Sequence, residues 1–192
     1  MKEEAAKKRR ANPGGPRITK GGQSGDYETD HRLVPAIEKK FGKIIFDLAA
    51  TAKNSQADRY YSEEEDSLKQ DWATLSASSP ESGVLWLNPP YTHVKPWLAK
   101  CVVEASRGAN IVALVPAAVG SKWFRDNVMN KCDVYFLRGR LMFEGHTTVY
   151  PKDCMVLHYR MFDAAVPFAI RVWQWKKEIE REDEKEISMS AA

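Results

Sequence analysis

Cysteine is scarce in this 192-residue chain. Cys101, Cys132 and Cys154 are odd in number, widely spaced and without a Cys-x-x-Cys pair. That pattern excludes a disulfide framework and a cysteine zinc site, and a reducing, cytoplasmic setting is expected. No apolar run approaches the ~18 residues that a membrane helix needs, so no membrane partner is expected. The first residues are charged with no apolar stretch behind them, unlike a secretory signal. His31, His93, His146 and His158 lack metal-ligand spacing. The acidic run Glu63–Asp66 lacks the alternating oxygen ligands of a calcium loop, so no metal is expected. No phosphate-cradling loop is present either. Gly21-Gly22-Gln23-Ser24-Gly25 follows no strand, and Gly120-Ser121-Lys122 lacks the upstream glycine spacing.

What is there is a chain of ordinary globular composition, 43% hydrophobic, with a formal charge of +3 spread unevenly. Residues 1–25 hold Lys2, Lys7, Lys8, Arg9, Arg10, Arg17 and Lys20 against Glu3 and Glu4, a net +5, which leaves −2 for the remainder. The first 25 residues therefore read as a disordered basic arm, either a solubilising tail or a source of attraction to phosphates. Any nucleic-acid contact by the body must rest on local patches.

The rest alternates between helical and strand patterns. Leu33, Ile37 and Phe41 recur at helical spacing, with Gly42 as a stop. Ile44-Ile45-Phe46 ending at Asp47 reads as a first strand, and Val84–Leu87 as a second. Trp97, Leu98, Cys101, Val102 and Ala105 predict a helix closed by Gly108. Ile111–Val115, stopped by Pro116, is a third strand. A helix over Trp123 to Met129 follows, then strands at Val134–Leu137 and Met155–Tyr159. Residues 52–82 show no period. Glu178 to Lys185 is charged all round, a solvated helix or tail. Apolar strands alternating with helices predict an α/β fold, a mostly parallel sheet covered on both faces. The organisation expected is an arm at 1–25, one domain at 26–175 and a charged tail at 176–192.

The second strand runs straight into Asn88-Pro89-Pro90-Tyr91. Open α/β sheets place ligands at such strand ends. The residues suit methyl transfer to a planar, conjugated amine, whose lone pair is delocalised into a ring. A side-chain oxygen from Asn88 and the carbonyl of Pro89 can accept hydrogen bonds from the NH₂ group and favour charge developing on its nitrogen. Pro89 has no N–H to compete, and Pro90 forces its predecessor into an extended conformation. Tyr91 offers a face for an extruded base, a contact worth ~1–3 kcal/mol. The same tetrapeptide is also good turn chemistry. Trp86, Trp97 and Trp123 read most simply as core residues.

The tetrapeptide matches the catalytic motif of amino-methyltransferases that use S-adenosylmethionine. Its companions are Asp47-Leu48-Ala49-Ala50, Asn54, Arg59-Tyr60-Tyr61, the acidic stretch to Asp66, Gln70-Asp71-Trp72 and Phe136–Phe143. With them, residues 26–160 resemble the phage-type DNA N6-adenine methyltransferases (the phage Dam-like family). The resemblance implies a Rossmann-like class I methyltransferase fold and S-adenosylmethionine bound near Asp47 and Ala49. It implies that Asp66 and Asp71 take the ribose hydroxyls and the adenine amine. It also implies a contact from Thr29, where the family has Thr-Pro and this chain has Asp30 next. The usual glycine-rich first loop is replaced by Asp47-Leu48-Ala49-Ala50-Thr51, whose small alanines serve either close ligand approach or strand–helix packing.

About 40 residues separate Asp47 from Asn88, too few for an inserted recognition domain. DNA contact then falls to the arm and to loops after Asn88. The candidates are Arg138, Arg140, His146 and Lys152, with a surface ion pair as the competing role for the two arginines. The reading reached is a cytoplasmic DNA adenine-N6 methyltransferase, in a bacterial host if phage-encoded. The alternatives are transfer to RNA adenine or to a protein glutamine amide, and an inactive DNA-binding relative.

Overall fold

The computed structural model describes residues 29–78, 82–143 and 147–177. The basic arm, His146 and the charged run from Glu178 lie outside the described residues. Helix α1 (Leu33–Phe41) leads into strand β1 (Ile44–Asp47); a 3-10 turn at Ser67–Lys69 and helix α2 (Trp72–Ser78) precede β2 (Val84–Leu87). Helix α3 (Val94–Ser106), β3 (Ile111–Pro116), α4 (Lys122–Asn127), β4 (Asp133–Leu137), β5 (Cys154–Tyr159) and β6 (Ile170–Trp173) complete the order.

The six strands form one sheet in the order β1-β2-β3-β5-β4-β6. β1, β2 and β3 are parallel, β5 is antiparallel to both β3 and β4, and β6 is parallel to β4. Five strands therefore run one way, and β5 is the reversed member. This is the mostly parallel α/β sheet that the alternating pattern predicts, in the Rossmann-like form that the resemblance implies. All the parallel strands end at one edge, which carries the loops after Asp47, Leu87, Pro116 and Leu137.

Alternation along the strands divides the core in two. Leu85, Leu87, Ile111, Ala113 and Val115 face α3 and α4, with Leu98, Cys101 and Phe124. Val84, Trp86, Val112 and Leu114 face α1 and the β4–β5 connection, with Leu33, Ile37, Leu141 and Phe143. Both sheet faces are covered, which is why the strands are apolar throughout. Within the chain, Trp86 is fully buried, and Trp97 stacks on Trp72 with ring centroids 6.2 Å apart.

β1 and β2 approach very closely at Gly83. A Cβ there would lie 2.3 Å from the Lys43 carbonyl oxygen and 2.6 Å from Ile45 Cγ2. Glycine is needed here for space rather than for an unusual backbone angle.

Three elements differ from the sequence expectation. The 3-10 turn and α2 lie in the stretch read as aperiodic, and β6 was not anticipated. α2 is only two turns long, too short for periodicity to show. Its signal was Asp71, whose Oδ1 accepts from Thr74 N (3.1 Å) as an N-cap. β6 is an edge strand with Ile170 and Val172 exposed, so it lacks the buried alternation that marks an inner strand.

Candidate active site

The site is assembled at the strand ends of β1 and β2. Their register pairs Asp47 with Trp86, and Leu48 N donates to Trp86 O (2.8 Å). This brings the loop after Asp47 beside Asn88. Pro89 is buried, while Asn88, Pro90 and Tyr91 are half-buried. Pro90 is extended (φ −54°, ψ 117°), and His93 N bonds back to the Pro90 carbonyl (3.0 Å). The chain thus leaves β2, turns once and enters α3, which makes the tetrapeptide a stiff connection between two buried elements.

Tyr91 is held by aromatic rings from the β4–β5 connection. Its ring meets Phe143 edge-on at 6.1 Å and Tyr150 at 5.8 Å, and those two rings meet each other at 5.2 Å. Phe143 and Tyr150 are buried. Neighbours of these anchors point outward: Arg138, Arg140, Met142, Val149 and Lys152 are exposed. The connection is therefore pinned beneath the Tyr91 ring and presents cationic and apolar side chains along the same edge. Its anchoring role was missed in the sequence, although Phe143 stands in the segment Phe136–Phe143 singled out there. Arg140 Nε lies 3.8 Å from Asp153 Oδ1, a loose and exposed pair that leaves it available to a phosphate.

Asn88 Nδ2 donates to Thr29 Oγ1 (3.3 Å). Thr29 is buried, and so is Asp30 beside it. Asp30 stands where the resemblance implies a proline, and it ties this segment down through its carboxylate. Its Oδ1 accepts from Arg32 N (3.1 Å) and Nε (2.9 Å), and its Oδ2 from an Arg32 terminal nitrogen (2.8 Å) and from Met142 N (3.3 Å). Burial opposes ionisation of Asp30, but these bonds outweigh it and hold the carboxyl below its usual range. The segment before α1 is thereby tied both to Asn88 and to the connection under Tyr91.

Asp47 is buried at 2% exposure. Its Oδ1 accepts from Ala49 N (3.2 Å) and its Oδ2 from Gln56 N (3.0 Å). Its backbone also pairs with residues 59–61, through Arg59 O and Tyr61 N (2.9 Å each). Desolvation pushes its carboxyl up to about 6, against the pull of the two backbone N–H groups. Among the described residues no lysine or arginine pairs with it. A buried anion held by amides alone has two lone pairs left, one on each oxygen. That suits a cationic ligand group, such as the ammonium of an amino acid.

Asp66 and Asp71 make their own contacts away from the tetrapeptide. Asp66 has a left-handed backbone (φ 49°) and pairs with Lys69 (2.7 Å) at the surface. Asp71 caps α2 and pairs with Arg107 (2.6 Å). The adjacent Ala73 N bonds Glu104 Oε2 (3.0 Å) near the end of α3, ten residues from Val94, or about 15 Å along the helix axis. Asp71 therefore sits toward the far end of α3 from the tetrapeptide, with its carboxylate engaged. The cap and the arginine engage its carboxylate; its expected role at the cofactor rests on the resemblance. His158 is a structural residue. Its Nε2 lies 2.7 Å from Asn110 Oδ1, and burial lowers its pKa to about 4. Among the described residues no cluster of His, Cys, Asp and Glu could hold a metal ion, and no helix is long and apolar enough to cross a membrane.

Residues 19–179 match the family model described as DNA N-6-adenine-methyltransferase (Dam). A curated relative, the DNA N-6-adenine-methyltransferase of Escherichia phage T1, is 25% identical over 115 residues, 60% of this chain and 45% of its own length. The chain thus spans under half of that relative. Among solved structures, the Type IIL restriction-modification enzyme MmeI in complex with DNA aligns with 76% of this chain and 23% of its own, at a TM-score of 0.40 and 10% identity.

Proposed function

The chain belongs to the DNA N-6-adenine-methyltransferase (Dam) family, and from that premise we propose that it transfers the methyl group of S-adenosylmethionine to the N6 amine of adenine in DNA. The observation that carries the reading is Asn88-Pro89-Pro90-Tyr91 at the end of β2, one strand from the buried Asp47. S-adenosylmethionine supplies, when bound, an electrophilic methyl on a sulfonium centre. Asp47 would hold its ammonium, Ala49 lets it approach the loop backbone, and Thr29 stands close by on the Asn88 side.

The protein's own part is to align and polarise the amine. Asn88 and the Pro89 carbonyl accept hydrogen bonds from the NH₂ group, localise its lone pair and favour positive charge on nitrogen as the N–C bond forms. The methyl's bond to the sulfonium would break as the N–C bond forms and leave a neutral thioether, and one N–H proton then passes to water, which restores a neutral secondary amine. Tyr91, stiffened by Phe143 and Tyr150, stacks on the adenine. In duplex DNA that adenine must first leave the helix, at a cost of a few kcal/mol. Arg138, Arg140 and Lys152, on the connection that carries those two anchors, bind the flanking phosphates; His146 lies in the same connection.

The test is a labelled-methyl transfer assay with DNA, RNA and protein acceptors side by side. Label in DNA, recovered as N6-methyladenine, is the expected result. Label confined to RNA or to glutamine would overturn the assignment of substrate. Binding of DNA without S-adenosylmethionine binding or transfer would overturn the assignment as an enzyme.

A further inference from the structure

We infer that Thr29 is a positioning residue for the Asn88 amide, acting on the transfer step itself rather than as a contact for the cofactor. This rests on the reading of Asn88 as an acceptor for the target amine. An amide has two ends of similar shape and opposite function: one accepts, the other donates. If it rotated by half a turn, Asn88 would present N–H groups to an NH₂ group, and the acceptor would be lost. Something must therefore hold the amide in place.

Thr29 Oγ1 does so by accepting from Nδ2 at 3.3 Å, and with that end on Thr29 the oxygen end faces the other way. A hydroxyl can donate as well as accept, so the contact fixes the place of the amide and does not by itself choose its end. A single hydroxyl contact is useful only if the hydroxyl is itself stationary. Thr29 is 4% exposed, and the next residue, Asp30, is 1% exposed and holds Arg32 and Met142 N through both carboxylate oxygens. Leu33 N closes on the Asp30 carbonyl (2.8 Å) to begin α1. The hydroxyl thus sits on a segment braced from two sides, 59 residues before its partner in sequence. The contact explains a buried threonine here without requiring that it touch the cofactor.

Thr29→Val removes the hydroxyl and keeps the shape; Thr29→Ser keeps the hydroxyl. On the full chain, kcat for DNA methylation is measured together with the dissociation constant for S-adenosylmethionine by calorimetry and with the melting temperature. The expected result is a fall in kcat of about tenfold to a hundredfold for Thr29→Val, in the range for losing one preorganised contact. Thr29→Ser should restore most of it, with cofactor affinity unchanged in both. In an Asn88→Ala background, Thr29→Val should add nothing, because the two residues act as a unit. A fall in cofactor affinity that matches the fall in kcat would overturn the inference in favour of a cofactor contact. An unchanged kcat would overturn it outright, while the activity of the wild-type chain would leave the functional reading standing. Absence of transfer by the wild-type chain to any acceptor would overturn both.

Discussion

Cofactor affinity should depend on pH through Asp47, and the size of the effect can be worked from the structure. The carboxyl is buried, held by the Ala49 and Gln56 amides, and titrates at about 6. If its ionised form binds the ammonium of S-adenosylmethionine, protonation competes with binding. The apparent dissociation constant then scales as one plus the ratio of protonated to ionised Asp47. From pH 7 to pH 5 this factor rises by roughly tenfold, while the ligand's own amine, with an α-amino pKa near ~7.8, stays charged.

The fold must survive the same window, and the signs can be checked. Asp47 is raised above the ordinary carboxylate value of 3.8, so its proton favours the fold. Its stabilising contribution is complete below about 3.8 and is lost as pH rises through about 6. His158 works in the opposite sense. It is lowered from 6.5 to about 4, so the fold loses stability as pH falls between those values, roughly 2 kcal/mol at pH 5. The lowered Asp30 carboxyl loses its contribution only below its usual range, under pH 4. The two larger effects partly cancel at pH 5, and a melting curve at each pH verifies that the protein is folded. Calorimetric titration with S-adenosylmethionine at pH 5, 6 and 7 should show the tenfold weakening, and Asp47→Asn should be weak and nearly independent of pH. A flat wild-type profile in folded protein would refute the placement of the ammonium at Asp47.

Pro89→Ala frees an N–H beside the target amine and relaxes the loop. Transfer should fall at least a hundredfold with calorimetric cofactor affinity nearly unchanged, and wild-type kcat would count against the loop's role. Gly83→Ala sets a Cβ against the Lys43 carbonyl, so β1 and β2 must part. A loss of about 1–3 kcal/mol, read by urea unfolding, is the expected outcome. Removing Arg138 and Arg140 together should weaken duplex binding evenly across sequences and reduce the slope of log K against log salt by about 1.8, for two phosphate contacts. An unchanged slope would return both arginines to the role of surface ion pairs.

How much of this was legible in the sequence depended on the range of the interaction. β2 and β3 are buried on both faces, so their apolar runs announced them, and Pro89-Pro90 marked the end of β2 without ambiguity. α1 showed its period because Leu33 and Ile37 lie on one buried face. α2 and β6 were not legible in this way: one is a short capped helix, the other an exposed edge. The individual acids divided along the same line. Asp47 closes a recognisable strand, so its position at the strand end followed from local pattern, while its role at the cofactor came from the resemblance. Asp66 and Asp71 were placed by resemblance. The contacts that decide their positions, with Lys69, Thr74 and Arg107, include one that spans 36 residues. The bond between Thr29 and Asn88 spans 59 and had no local signal at all. The aromatic support of Tyr91 is of the same kind, since Phe143 and Tyr150 lie on the connection between the end of β4 and the start of the reversed β5, at the sheet edge where β2 also ends.

The most direct test of the central claim is mass spectrometry of nucleosides from DNA incubated with S-adenosylmethionine and either the wild-type chain or Asn88→Ala. The account predicts N6-methyladenine with the wild type and a loss of at least a hundredfold with Asn88→Ala, whose fold and cofactor affinity are retained. Equal yields of N6-methyladenine from both, or methylation of a base other than adenine, would contradict it.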